Sequence, residues 1–121
     1  MDISIDEDNA FINDLIFATQ SGMLHWSAIQ APIFLIPSQD IHISMCFIAS
    51  NNDLNIYTYQ YRETKYDGYN DSLYSIETIH LTCTRYDIPF FELKDTQSLE
   101  YLFHLIMKTN TPSFNRYNPY M

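Results

Sequence analysis

The sequence predicts an α+β fold: an N-terminal helix, an antiparallel meander of three to four strands and a C-terminal helix, with both helices on one sheet face. Three observations carry this expectation. Apolar residues recur at helical spacing near both ends of the chain, over 11–19 and 99–107. Between those stretches they alternate with period two. The turns separating the alternating runs are long enough for antiparallel hairpins and too short for parallel crossovers. A chain of 121 residues suits one domain, expected over residues 1–110, with 111–121 as a tail or strap.

The first helix is expected in "DEDNAFINDLIFATQSG", where Phe11, Ile12, Leu15, Ile16 and Thr19 form one stripe. Asp6, Glu7 and Asp8 complement the dipole at its start, and Gly22 suits a left-handed cap at its end. Trp26 is expected to tuck under that end. "IFLI", between Pro32 and Pro37, reads as a short strand or extended segment. In "IHISMCFIA" the alternation places Ile41, Ile43, Met45 and Phe47 on one strand face. Asn51-Asn52-Asp53 signals a turn, "LNIYTYQYRE" the next strand, and Asp67-Gly68 with Asn70-Asp71 a further loop. "LYSIETIHLTCTRY" is the last long strand. Asp87 to Lys94, containing Pro89, is expected to cross to the second helix. Asp95 or Thr96 caps that helix, and Leu99, Leu102, Phe103, Ile106 and Met107 form its stripe.

Fifteen acids stand against six bases, and no Lys or Arg precedes Arg62. Nucleic-acid binding draws most of its affinity from cations on phosphates. The N-terminal half has none to offer, so direct nucleic-acid binding is not expected. A negative surface attracts basic proteins instead. Two glycines are too few for a phosphate-cradling loop. The acidic start has no basic region before an apolar run, and no apolar run is long enough to span a bilayer, so a cytoplasmic protein without membrane contact is expected. Cys46 and Cys83 are expected to be free, small and buried; their spacing leaves open whether they face each other across strands.

No constellation announces chemistry. His25, His42, His80 and His104 are scattered. His42 and Cys46, on one strand, are expected to share a face about 13 Å apart, too far to hold one zinc. His80 and Cys83 have opposite parity. Glu77 reads as a solvent-facing strand residue, and no Ser is flanked by the glycines of a nucleophile elbow. Neither catalytic residue, metal nor cofactor is expected.

The stretch Ile56 to Tyr69 carries Tyr57, Tyr59, Tyr61, Tyr66 and Tyr69. The first three share one face by parity. They are either the half-buried skin of a sheet or, on an open face, anchors for a protein partner. The partner-binding reading takes Tyr57, Tyr59 and Tyr61 as anchors, with Asp6, Glu7, Asp8, Asp40 and Asp53 supplying charge toward a larger protein with a basic surface. A second reading is an aromatic pocket for a nucleotide-like ligand, with Arg62, Lys65 and Arg85 as the central cations. A third is a structural or oligomerising subunit, and the oligomeric state is open.

"FINDLIFATQSGMLHW", the meander after it and the closing "SLEYLFHLI" resemble a set of small bacterial and phage proteins. In those a helix ends in a Thr-x-x-Gly-x-x-x-Trp-like turn, strands follow, and a Leu-x-x-Leu helix closes the chain. The matching residues are Thr19, Gly22, Trp26, Leu99 and Leu102. Some of those proteins are mobile-element products that inhibit bacterial defence systems. The resemblance implies a fold and a setting, and no catalytic residue. Together with the acidic asymmetry it leads to the expectation of a non-enzymatic, acidic protein-binding module that inhibits a bacterial defence nuclease.

Overall fold

The computed structural model describes residues 3–94 and 96–110, with side chains from Asp8 onward. The tail or strap expected at 111–121 lies outside the described residues, as does Asp95. The chain runs α1 (Ile3–Gln20), β1 (Ser27–Ile29), a 3-10 turn (Ile33–Leu35), β2 (Ile41–Asn51), β3 (Leu54–Asp67), β4 (Ser72–Arg85), β5 (Ile88–Lys94) and α2 (Gln97–Asn110). The strands form one antiparallel sheet in sequence order.

The α1 terminus follows the expected chemistry. Gly22 adopts φ +80, and the Met23 and Gly22 amides donate to the Ala18 and Thr19 carbonyls at 2.9 and 3.3 Å. This is the paired closure of a left-handed cap. The Trp26 indole donates to Thr19 Oγ1 at 3.0 Å, and the Thr19 hydroxyl donates to the Leu15 carbonyl at 2.7 Å. The buried indole N–H is thereby satisfied. At the start of α2, the Leu99 amide donates to Thr96 Oγ1 at 3.1 Å, so Thr96 caps the helix.

Two cores result. The first joins Ile12 and Leu15 of α1, Leu99, Leu102, Phe103 and Ile106 of α2, Trp26, and the sheet residues Phe47, Ala49, Ile56, Ile79, Leu81, Cys83 and Leu93. The second joins Leu35, Cys46, Tyr57 and Tyr59, with Ile29, Ala31, Ile43, Ile48 and Tyr61 packed around them.

Three expectations change. The sheet has five strands, because β1 is only three residues long and β5 occupies the segment expected as a crossover. Pro89 is tolerated there because β5 is an edge strand. The loop before it is Tyr86-Asp87, both at positive φ (53 and 64), which are unusual residues for such a turn. "IFLI" is a 3-10 turn, closed by the Leu35 and Ile36 amides on the Pro32 and Ile33 carbonyls, both at 3.0 Å. Finally, β2 carries a bulge. Ile43 opposes Tyr61 and Met45 opposes Gln60, leaving Ser44 as the extra residue. The face therefore switches mid-strand: Ile43 joins Cys46 and Ile48 in the second core, while Met45 and Phe47 join the first. For the same reason His42, opposite Arg62, and Cys46, opposite Tyr59, lie on opposite faces. Cys46 and Cys83 also sit in different cores, and both are free thiols.

Candidate functional site

The tyrosine face is not open over its whole width. The segment around the 3-10 turn folds across it, burying Leu35. Tyr57 and Tyr59 are each only 4% exposed, so as the protein stands they are interior residues. Phe34 meets the Tyr57 ring edge-on at 5.4 Å. The Tyr59 hydroxyl and Thr82 Oγ1 share a hydrogen bond of 2.8 Å. Burial pushes the Tyr59 phenol up to about 12. Tyr61 lies half-buried beyond the cover, stacked on His80 at 4.0 Å. Its phenol is also raised, by burial and then by Glu63 and Glu92. Thr78 Oγ1 and His80 Nε2 are 2.8 Å apart.

Where the cover ends, two grooves of about 210 and 310 Å³ share Tyr61, His80 and Lys94. The second also takes in Glu63, Lys65 and Ile76. Of the three cations expected to hold a phosphate, only Lys65 reaches this region. Arg62 points to the opposite face, where its guanidinium donates twice to Glu77 Oε1, at 2.8 and 2.6 Å. Arg85 is at the far end of β4, 3.6 Å from Asp53 and over the Phe90 ring. The three do not converge.

The acids are dispersed as well. Asp6, Glu7 and Asp8 lie on α1, and the Asp6 and Glu7 side chains are outside the described set. Asp40 and Asp53 flank opposite ends of β2, about 30 Å apart at the rise of an extended strand.

The least covered part of the sheet is the β3–β4 hairpin. The last pair between β2 and β3 is Ile41 with Glu63, and β5 reaches only to Lys94, opposite His80. Beyond Thr64, whose amide still donates to the Asp40 carbonyl, residues 65–67 and 72–74 pair, among the described residues, only with each other and project as a two-stranded ribbon. It exposes Tyr66, Tyr69, Leu73 and Tyr74, with Ile76 at its base; Tyr69 is 97% exposed and Leu73 71%. Tyr66 pairs across the ribbon with Leu73 on one face, and Lys65 with Tyr74 on the other. The tip is held by Asp67, which accepts from the Tyr69 amide at 2.9 Å and the Asn70 side chain at 2.8 Å. These bonds hold the Asp67 carboxyl below its ordinary value. Tyr66 donates to the Asp71 carboxylate. The sequence marked the hairpin and its tyrosines; it carried no sign that both neighbouring strands stop short.

Among the described residues no group of three or more His, Cys, Asp or Glu side chains is placed to hold a metal, and no helix is long and apolar enough to cross a membrane. Compared with known proteins, the chain matches no family model, and no curated protein or solved structure is detectably similar to it.

Proposed function

We propose that the protein is a non-enzymatic, cytoplasmic protein-binding module that docks through the β3–β4 ribbon onto a larger protein with a basic surface. The observation that carries this reading is the projecting ribbon, with Tyr66, Tyr69, Leu73 and Tyr74 exposed along it, Ile76 exposed at its base and its tip braced by Asp67. Exposed tyrosines combine apolar area with a polar end at low entropy loss, and a braced loop loses less freedom on binding. The formal charge of −9 supports the choice of a basic partner. In this reading both helices share one sheet face, which their common core supports. Tyr57 and Tyr59 shape the scaffold, and Tyr61 lies at the rim of the contact. The narrower form, an inhibitor of a bacterial defence nuclease, is supported by the acidic asymmetry and the resemblance in outline to mobile-element proteins.

The test is affinity capture with the native protein and a Tyr66→Ala/Leu73→Ala variant. The expected result is a basic protein retained by the first and lost by the second, with both melting at the same temperature. Equal retention would sink the reading. Association should also slow steeply as salt rises, and slow further in an Asp6→Asn/Glu7→Gln/Asp8→Asn variant, with dissociation little changed.

One observation favours a second reading. The Tyr61–His80 stack beside Lys65 and Lys94 lines the joined grooves, a setting for a flat anionic ligand such as a nucleotide. Native mass spectrometry with added nucleotides tests it, and binding that survives Tyr61→Ala would refute it.

A further inference from the structure

The sheet's edges are not equally defended. At one side β1 is three residues long. At the other, β5 carries Pro89, and its pairing with β4 is broken by a register shift at Cys83/Thr84. Short length, proline and bulges are the ordinary means of blocking an edge. The outer edge of β4 before His80 has none of these. It runs unbroken from Ser72 to Ile79, and no described strand pairs with it.

The backbone direction along this edge follows from the pairing. The Thr64 amide donates to the Asp40 carbonyl at 3.0 Å, toward β2. Even-numbered β3 residues thus turn their backbone groups to β2 and odd-numbered ones to β4. Lys65 and Glu63 oppose Tyr74 and Ile76, so those two bond inward. Leu73, Ser75 and Glu77 turn their N–H and C=O outward, into a lane that continues the line of β5 and that no described strand occupies.

That lane is flanked by a groove on each face. On the tyrosine face lies the groove of about 310 Å³ that includes Tyr61 and Ile76. On the opposite face, a groove of about 290 Å³ beside α2 includes Glu77, Glu100 and Phe103. A strand in the lane would send alternate side chains into these two grooves.

We propose that the outer edge of β4, from Leu73 to Glu77, accepts an added strand, and that the strand is an extended segment of another protein alternating apolar with basic residues. Apolar side chains would face Tyr61, Tyr74 and Ile76; basic ones would face Glu100, beside the Glu77 carboxylate already paired with Arg62. A second copy of this chain is the poorer occupant, since it brings another −9 of formal charge. The proposal rests on the protein-binding reading above and specifies its contact as backbone pairing.

The probe is a short synthetic peptide alternating valine with lysine, followed by fluorescence anisotropy and by amide hydrogen exchange of the intact protein. Binding should slow exchange at Leu73, Ser75 and Glu77. Ser75→Pro removes one outward N–H without touching the β3 ladder and should weaken binding about tenfold or more. A peptide N-methylated along one edge tests the same pairing on the unmodified protein and should not bind. Equal binding of the N-methylated peptide, unslowed exchange at those amides, or no binding of the plain peptide would each overturn strand addition. A captured partner kept by Ser75→Pro but lost by Tyr66→Ala/Leu73→Ala would overturn strand addition while leaving the ribbon reading intact. Probe binding lost in Ser75→Pro, with partner capture indifferent to Tyr66→Ala/Leu73→Ala, would support strand addition and sink the ribbon side chains instead. A dimer in sedimentation that Ser75→Pro abolishes would overturn the choice of a foreign partner.

Discussion

Tyr59 and Tyr61 are two residues apart on one strand face, yet their surroundings differ. Tyr59 is sealed by the 31–37 segment and hydrogen-bonded to Thr82; Tyr61 is half outside. Tyr59→Ala should destabilise the fold by about 3–5 kcal/mol, as for other buried aromatics. Tyr61→Ala, which loses chiefly its stack on His80, should cost about 1 kcal/mol. Urea denaturation of the two variants checks this, and equal midpoints would contradict the coverage of Tyr59. Tyr86 gives a prediction of opposite sign. It holds φ +53 in a two-residue turn, 76% exposed. A bulky side chain is disfavoured there and Gly is not, so Tyr86→Gly should stabilise the protein by about 1 kcal/mol. A drop in the denaturation midpoint would show that the exposed ring contributes more than its backbone costs.

Among the elements, α2 is the most firmly anchored to the first core: Leu99, Leu102 and Ile106 are all 0% exposed. Leu102→Ala should therefore cost about 2–5 kcal/mol. Gly22 closes α1 at φ +80, and a Cβ there meets nothing within 4 Å. Any loss in Gly22→Ala is then backbone strain alone, about 1 kcal/mol. Calorimetry of both variants separates a packing effect from a conformational one. The helices and the Gly22 and Thr96 caps were legible in the sequence because their signals are local: spacing, a glycine, a hydroxyl three residues before an amide. The strand β5 was not. Its turn, Tyr86-Asp87, lacks the Asn-Gly chemistry that advertises a hairpin, and Pro89 reads as a break until the strand is known to be an edge.

For the molecule as a whole, burial sets the response to alkali. The Cys46 thiol moves from its ordinary 9.0 up to about 11, and Cys83 from 9.0 up to about 12. The Tyr59 phenol rises from 10.0 to about 12. Each group is held neutral by the fold and ionises more easily in the unfolded chain. Their contribution to stability is complete below pH about 9 and is lost as pH rises through the folded values. Melting temperature should hold steady from neutral to about pH 9 and fall beyond it. A melting temperature that stays flat up to pH 12 would contradict the burial of these groups. The thiols should also resist alkylation in the native protein at pH 8 and react on unfolding, because the thiolate is the reactive form.

The sequence by itself determined the helical stripes, the antiparallel order, the acidic asymmetry and the parity that puts Tyr57, Tyr59 and Tyr61 together. All of these depend on spacing along the chain or on counting charge. Only the tertiary structure decided which sheet edges are covered and where. Ser44 became a bulge and divided β2 between two cores. The "IFLI" segment folded over half of the tyrosine face and took Tyr57 and Tyr59 into the interior. β2 and β5 stopped short of the β3–β4 tip and left a ribbon and an edge that no described strand covers. Coverage depends on where distant segments end relative to one another in space, and no local pattern records that distance.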